Sequence, residues 1–377
     1  MTVPTTTTRT DLPAVKSAHD VAAVRAYRPP PHGLEVALRL DSNEGTPPPA
    51  ELLEKLTQLK PSIIRDYPST WELQDLLAAR FHVEPEQVVV TAGADDALDR
   101  ACRAVLEPGT ELILPTPTFE MLERYPRFLG ATCKPIPWPG GPYPRNAVIK
   151  AVSSRTRAIA VVSPNNPTGA VATVTDLKAL SAAAPGALLI VDLAYVEFAA
   201  EDPTQAVLAL PNAVAVRTFS KAWGLAGLRV GYALGPSMIM EWLRTVGSPY
   251  PTSGVALWLA AERLKTGADD VRQFAQCVRA QRDQLRNLLL SFGASVLPSQ
   301  ANFLLVRLGD AARVRADLAE RGIAVRSFSS RPQLADCVRV TLPGEESAFS
   351  LLTTAFNDLF IATPETFRVT CAADKGQ

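Results

Sequence analysis

From Gln87 onward the chain alternates short apolar runs with longer amphipathic segments, and this alternation constrains the fold more than any other feature of the sequence. Runs that are apolar at consecutive positions are typical of parallel strands covered by helices on both faces. The pattern therefore predicts an α/β domain with a mostly parallel sheet. We expect its strands at residues 87–91, 111–114, 131–136, 158–162, 188–192, 213–218 and 230–234.

A change of pattern near residue 250 predicts a second, smaller unit. Two long arginine-bearing helices are expected at 252–264 and 270–291, followed by an α+β stretch with strands at 302–307, 323–327 and 337–342. We expect a large domain over 41–250 and a small domain over 251–362. An N-terminal arm over 1–40 should precede them, and a tail over 363–377 should follow.

Charge and cysteine content exclude several classes of function. The 38 basic residues cancel the 38 acidic ones, so the chain gives no electrostatic reason to bind nucleic acid or an anionic membrane. Five scattered cysteines without a C-x-x-C pair, and three histidines far apart, predict neither a metal site nor a disulfide framework. With no apolar run long enough for a signal or a membrane span, we expect a cytoplasmic protein.

Polar residues follow several of the predicted strands. Asp192 ends the fifth strand and Tyr195 follows three residues later. The sixth strand ends at Thr218 and leads into Ser220 and Lys221. Because ligands of open parallel sheets bind beyond the carboxyl ends of the strands, these side chains are expected to share one site.

Lys221 differs from most of the other lysines because it lies between an apolar strand and the apolar segment 222–225. Partial desolvation there should lower the pKa of its ammonium group and make the side chain a candidate Schiff-base nucleophile. Asp192 presents the opposite case. A carboxylate at the end of an apolar strand is costly to bury unless a cation lies beside it, so we expect a protonated group next to the Asp192 carboxylate.

Two further features could hold a phosphate group. The small-residue turn at Gly93, Ala94 and Asp95 opens a predicted helix whose first amides can bind an anion, and Arg229 supplies a fixed cation. With the groups named above, they match what pyridoxal 5′-phosphate requires. That cofactor needs an amine for its imine, an anion at its pyridine nitrogen, a hydroxyl at its phenolate oxygen and donors around its phosphate.

In three segments the chain resembles the fold-type I pyridoxal-phosphate enzymes of aminotransferase class I/II, and within them the histidinol-phosphate aminotransferases most. The segments are S-P-N-N-P-T-G at 163–169, D-L-A-Y at 192–195 and S-K-A-W-G-L-A-G-L-R-V-G at 220–231. The resemblance extends from Tyr27 to about Phe360. It implies a seven-stranded, mostly parallel sheet between helices, a smaller α+β C-terminal domain, and a small-molecule amino-acid substrate.

The resemblance also implies roles for the matched residues. Lys221 would carry the cofactor and transfer a proton, Asp192 would pair with the pyridinium nitrogen, and Asn166 with Tyr195 would bond the phenolate oxygen. Phe119 would stack on the ring. The phosphate would be held by the amides of Ala94 and Asp95 after Gly93, and by Thr218, Ser220, Arg229 and the neighbouring subunit's Tyr67.

A tyrosine that reaches the neighbouring subunit's phosphate implies a homodimer with shared sites. At the substrate end, Arg339 matches the family arginine that takes the substrate carboxylate. Arg326 and Tyr27 match positions that contact the phosphate of histidinol phosphate, and Asn43 lies in a segment that borders the substrate pocket. The resemblance implies a 2-oxo acid, with 2-oxoglutarate expected, as the amino acceptor.

The chain departs from the family mainly on the substrate side. Where the family usually has Asn-Glu-Asn-Pro, residues 42–47 read S-N-E-G-T-P, while Leu193 and Ala94 replace a common Glu and Ser. These departures leave the cofactor groups in place but leave the reaction open. A lyase, decarboxylase or cyclase would share every cofactor residue, and a non-catalytic regulator on the same fold is a third alternative.

Overall fold

The computed structural model describes residues 36–369 and, ahead of them, residues 17, 18, 21, 24 and 26. Its strands are β1 (Leu38–Leu40), β2 (Val88–Thr91), β3 (Glu111–Thr116), β4 (Thr132–Pro137), β5 (Thr156–Val162), β6 (Leu188–Asp192), β7 (Ala213–Thr218), β8 (Gly231–Leu234), β9 (Ser295–Val296), β10 (Phe303–Arg307), β11 (Ile323–Ser327) and β12 (Cys337–Thr341).

The helices of the same region alternate with these strands. They are α1 (Ala50–Glu54), α2 (Ser62–Arg65), α3 (Trp71–Phe81), α4 (Gly93–Val105), α5 (Met121–Phe128), α6 (Arg145–Ala151), α7 (Val174–Ala183), α8 (Thr204–Leu208), α9 (Ser237–Val246), α10 (Gly254–Thr266), α11 (Ala268–Ser291), α12 (Ala311–Glu320) and α13 (Glu346–Ala362). No helix in the described part of the chain has both the length and the apolar character needed to cross a membrane.

Seven strands form one sheet in the order β2-β8-β7-β6-β5-β3-β4, which confirms the predicted architecture. The pairings are parallel except those of β8, which runs antiparallel to β2 and to β7. The central strands are buried at every position: β6 reads LLIVD and β7 reads AVAVRT. Burial on both faces explains their continuous apolar runs, because helices cover the sheet on both sides.

A second sheet, in the order β1-β11-β12-β10-β9, forms the smaller unit. Its strand β1 pairs in parallel with β11, so the expected arm over 1–40 ends in a strand of this sheet rather than in free chain. Leu40 is buried there, which gives the segment a reason to dock. The limits of the arm and of the two domains otherwise stay predictions.

Two segments pack differently from what the sequence pattern indicates. Helix α10, expected within the small domain, packs against α3 beside the large sheet, and α11 continues from it to β9 and β10. The predicted tail over 363–377 is wrong at its start, because Phe367 is fully buried and its ring lies 5.5 Å from that of Phe292. Burial of an aromatic side chain of this size stabilises the folded state by roughly 1.5 to 3 kcal/mol, so this segment packs on the domain.

Candidate active site

A cavity of about 430 Å³ lies between the large sheet and the small sheet. Its walls come from the segments that follow β5, β6 and β7, from the start of α4, and from β11 and β12. The carboxyl ends of parallel strands meet at one edge, which is why residues far apart in sequence converge here. Most residues predicted for the site line this cavity: Asn43, Ala94, Asp95, Phe119, Asn166, Asp192, Tyr195, Thr218, Ser220, Lys221, Arg229, Arg326 and Arg339.

One end of the cavity is built to receive an anion. Helix α4 begins there at Gly93, whose φ of +82° suits glycine, and a Cβ on this residue would lie 2.6 Å from Arg229 Nη2. The Arg229 guanidinium donates to Ser220 Oγ at 3.3 Å, and Thr218 Oγ1 donates to the same oxygen at 2.9 Å. Together with the unsatisfied amides of the helix start, these groups form a cradle for a phosphate. Gly93 shapes this cradle rather than lining the cavity.

Asp192 lies at the floor of the cavity with 4% of its surface exposed. Its Oδ1 accepts a hydrogen bond of 3.0 Å from the backbone amide of Ala194. Burial raises the pKa of this carboxyl group to about 7, and the Ala194 hydrogen bond opposes the shift only in part. The carboxylate is therefore an acceptor that gains strongly from a protonated nitrogen placed beside it.

Lys221 reaches into the same cavity from the loop after β7. Its Nζ donates to the carbonyl oxygen of Ser42 at 3.1 Å and lies 5.7 Å from the ring centre of Tyr195. Burial, together with the nearby cation of Arg339, lowers the pKa of the ammonium group to about 8. A larger fraction of the free amine at neutral pH makes this lysine a better nucleophile than an exposed one.

The two groups expected at the phenolate oxygen lie side by side. Asn166 Nδ2 points at Tyr195 Oη at 3.5 Å, and Asn166 Oδ1 accepts a hydrogen bond of 2.6 Å from Arg339 Nη1. Arg339 also donates through Nη2 to the carbonyl oxygen of Asp41 at 2.6 Å. A chain of hydrogen bonds thus joins Tyr195 and Asn166, expected at the cofactor, to Arg339, expected at the substrate.

Two predicted residues lie outside this group, and a third has its polar atoms bonded within the protein. Tyr67 is 80% exposed and outside the cavity of its own chain, with its ring stacked on that of Tyr250 at 4.4 Å. Tyr27 lies outside the described residues. Asn43 lines the cavity, but it is only 2% exposed and is bonded to protein groups.

Sequence reasoning missed several residues of the cavity. Tyr125 of α5 donates to the carbonyl oxygen of Asp95 at 3.2 Å, beside the phosphate cradle. Arg331, from the connection between β11 and β12, donates to the carbonyl oxygen of Thr118 at 3.0 Å and pairs with Glu123 at 3.2 Å. Neither follows a strand of the large sheet, so the rule that located the other residues gives no signal for them.

The donor set fits the cofactor that the sequence resemblance implies. A phosphate cradle with a fixed cation, a buried carboxylate whose pKa is raised, and an amine whose pKa is lowered all border one cavity. Tyr195 supplies a hydroxyl group on its wall, and Phe119 adds an aromatic face. These are the four requirements of pyridoxal 5′-phosphate set out from the sequence, and the structure brings them together.

Comparisons with known proteins agree with this site. The sequence model of the family "Aminotransferase class I and II" matches residues 37–349. A histidinol-phosphate aminotransferase of Granulibacter bethesdensis is 31% identical over 84% of this chain and 88% of its own length. An aromatic amino acid aminotransferase of Corynebacterium efficiens is 34% identical over 79% of this chain and 88% of its own.

Solved structures show the same fold. The histidinol-phosphate aminotransferase of Sinorhizobium meliloti, solved in complex with pyridoxal 5′-phosphate, superposes with a TM-score of 0.79 at 24% identity. The match covers 88% of this chain and 93% of that one. At this identity the likeness establishes the architecture, which is that of the fold-type I aminotransferases.

Proposed function

Because the chain belongs to the class I and II aminotransferase family, and is thus a pyridoxal-phosphate-dependent enzyme, we propose that it transfers the amino group of histidinol phosphate or a related amino acid to a 2-oxo acid. We take 2-oxoglutarate as the acceptor. The names of the relatives support the donor class, since they include histidinol-phosphate and aromatic amino acid aminotransferases. The cytoplasmic location expected from the sequence is part of the same proposal.

Each residue of the cavity then has a defined task. When bound, pyridoxal phosphate supplies an electron sink that stabilises negative charge on the substrate's Cα. Lys221 Nζ would hold the cofactor and, as the free amine, would take the proton from Cα. Asp192 would accept a hydrogen bond from the protonated ring nitrogen and keep it charged, while Arg229 and Ser220 would hold the phosphate.

One observation carries the proposed substrate class: two arginines face the cavity from directly opposed positions. Arg326 of β11 and Arg339 of β12 are register partners in an antiparallel pair, so their side chains lie on the same face of the sheet. Among the described residues, the Arg326 side chain has no hydrogen bond and no ion pair. Opposed like charges destabilise a sheet, and a substrate that carries a phosphate or carboxylate at this end would compensate them.

The test is a half-reaction followed by the visible absorbance of the bound cofactor. Histidinol phosphate should convert the cofactor to its aminated form, while histidinol, which lacks the phosphate, should do so at much higher concentration. Phenylalanine and tyrosine complete the panel. Release of carbon dioxide, ammonia or a cyclised product, with the starting absorbance restored, would instead identify the lyase or cyclase alternative.

We also propose that two copies of the chain form a homodimer with shared sites. The Tyr67 ring stacks on that of Tyr250, which is 49% exposed, and the neighbouring positions Ile64 and Trp71 are 81% and 76% exposed. Exposed apolar residues in such a group are typical of an interaction surface. The proposal places Tyr67 of each chain near the cofactor phosphate of the other.

A further inference from the structure

Asn43 was expected to contact substrate, yet its contacts point to another task. The side chain is 2% exposed and the backbone adopts a left-handed φ of +57°, which asparagine tolerates better than most residues. Residues held in this conformation persist only where their surroundings fix them. Something beyond the turn itself must therefore hold Asn43 in place.

Three hydrogen bonds hold it, each to a distant part of the chain. Nδ2 donates to Tyr195 Oη at 3.0 Å, and Oδ1 accepts from Thr341 Oγ1 at 2.9 Å. The backbone carbonyl oxygen accepts from Asn302 Nδ2 at 3.2 Å. Tyr195 follows a strand of the large sheet, whereas Thr341 and Asn302 belong to or adjoin strands of the small one. Asn43 thus joins the two units at the edge of the cavity.

The consequence concerns the proton of the Tyr195 hydroxyl. Arg339 can only donate, so its hydrogen bond to Asn166 Oδ1 turns Asn166 Nδ2 toward Tyr195. Tyr195 Oη then receives amide donors from both Asn43 and Asn166. An oxygen whose lone pairs accept from two amides directs its own proton elsewhere, and the side of Tyr195 that remains is the cavity.

We propose that Asn43 is a positioning residue that makes Tyr195 a hydrogen-bond donor toward the bound cofactor. Through Thr341 and Asn302, it also links this donor to the seating of the small unit. The inference rests on the proposed function, because the acceptor it requires is the cofactor's phenolate oxygen. A hydrogen bond donated to that oxygen stabilises its anionic form and lowers the pH at which the bound cofactor releases its proton.

The experiment is a pH titration of the visible absorbance of the reconstituted protein, with no substrate present. Asn43→Gly is the informative variant, since glycine keeps the left-handed turn and removes only the side chain. We expect the midpoint of the titration to rise by about one pH unit, the size of a modest change in one hydrogen bond to a charged group. Thr341→Val, which releases Asn43 Oδ1, should raise it in the same direction by less.

A double-mutant cycle separates positioning from a general structural effect. If Asn43 acts through the hydroxyl of Tyr195, Asn43→Gly should leave the midpoint unchanged in a Tyr195→Phe background. An equal shift in both backgrounds, or no shift in either, would overturn the inference. Should Asn43→Gly fail to bind the cofactor, the same comparison with Thr341→Val decides the question.

The two proposals fail in different ways. A wild-type protein that binds pyridoxal phosphate and gives a normal titration, but aminates no keto acid, contradicts the proposed function and leaves the role of Asn43 standing. A transaminating protein whose titration midpoint ignores Asn43 and Thr341 contradicts only the inference about Asn43.

Discussion

At the scale of single residues, burial and charge make the site reactive before any ligand enters. Burial in one cavity disfavours the charged form of both groups, which raises the pKa of Asp192 and lowers the pKa of Lys221. Their perturbed pKa values are therefore the most direct physical mark of function in this chain.

The first residue-scale prediction concerns the attachment of the cofactor to Lys221. Since the pKa of this amine is about 8 instead of its ordinary 10.5, the free amine forms at lower pH and attachment should accelerate as the pH rises toward 8. Stopped-flow absorbance of the cofactor-free protein mixed with pyridoxal phosphate measures this rate. Borohydride should fix the cofactor to the wild type, whereas fixation to Lys221→Ala would remove Lys221 from this role.

The second prediction concerns the cost of burying Asp192. Its pKa is raised from 3.8 to about 7 in the folded chain, so the folded state binds the proton more tightly than the unfolded state. The cofactor-free protein should therefore lose stability as the pH rises from about 4 to 7, by an amount on the order of 4 kcal/mol. Urea unfolding of wild type and Asp192→Asn over this pH range tests it, because the variant should lose this dependence. An equal pH dependence in both proteins would contradict the assignment.

The third prediction separates the two arginines. Arg339→Ala should weaken every substrate that presents an anion, whereas Arg326→Gln should weaken histidinol phosphate, whose doubly charged phosphate can engage both arginines, far more than phenylalanine, whose carboxylate carries one charge. Loss of one charge-assisted interaction should lower kcat/KM roughly 10- to 150-fold. Steady-state kinetics with histidinol phosphate and phenylalanine provide the comparison. Equal losses for both donors in Arg326→Gln, or no loss for either, would contradict a role for Arg326 in recognising the phosphate.

At the scale of elements, the connection between β11 and β12 closes one wall of the cavity. Leu334 anchors it by packing with Leu305 and Cys337, and Arg331 extends from it to the large unit. The Thr118 carbonyl oxygen that Arg331 reaches belongs to the peptide that precedes Phe119. A loop of the small unit therefore restrains Phe119, the residue that we propose stacks on the cofactor ring.

Arg331→Ala tests this restraint. The Arg331 side chain is 17% exposed and that of Glu123 is 39% exposed, so screening by solvent limits the value of the pair. We expect a loss on the order of 1 kcal/mol, or a roughly fivefold rise in KM with kcat little changed. Arg321→Ala serves as the matched control, because Arg321 is exposed and, among the described residues, its side chain bonds only to the Asp317 carbonyl oxygen of its own helix. Equal kinetics for the two variants would show that the loop acts independently of Arg331.

At the scale of the whole molecule, the cavity is shared between two sheets and, in our proposal, between two chains. The large sheet supplies Asp192 and Lys221, the small sheet supplies Arg326 and Arg339, and the exposed Tyr67 is left for the partner. The complete set of cavity residues thus forms only when the two sheets, and in our proposal the two chains, pack together.

Mixing variants tests the shared site. A dimer of Lys221→Ala with Tyr67→Ala contains one site in which both residues are intact, because each chain supplies what the other lacks. Activity of the refolded mixture should exceed the sum of the separate variants. Light scattering should show twice the mass of the chain. A monomer, or a mixture no more active than its parts, would contradict the homodimer.

The sequence alone determined the architecture of the large sheet and most of its ligand groups. The relevant features are local: the seven apolar runs, a carboxylate at the end of one strand, a lysine after the next strand, and the family segments. Because ligands bind beyond the carboxyl ends of parallel strands, these features together predict a site. For this reason the sequence predicts one shared site for Asp192, Lys221 and Arg229, and all three line the same cavity.

Contacts between residues far apart in sequence depend on the tertiary structure and cannot be read from a local pattern. The role of Asn43 depends on hydrogen bonds to residues 152 and 298 positions away, and Arg331 reaches a carbonyl group 213 positions away. Such contacts follow from how two sheets pack against each other, and packing leaves no periodic signal in a sequence. The sequence therefore predicts which reactive groups are present, whereas the contacts that orient those groups depend on how the two units pack.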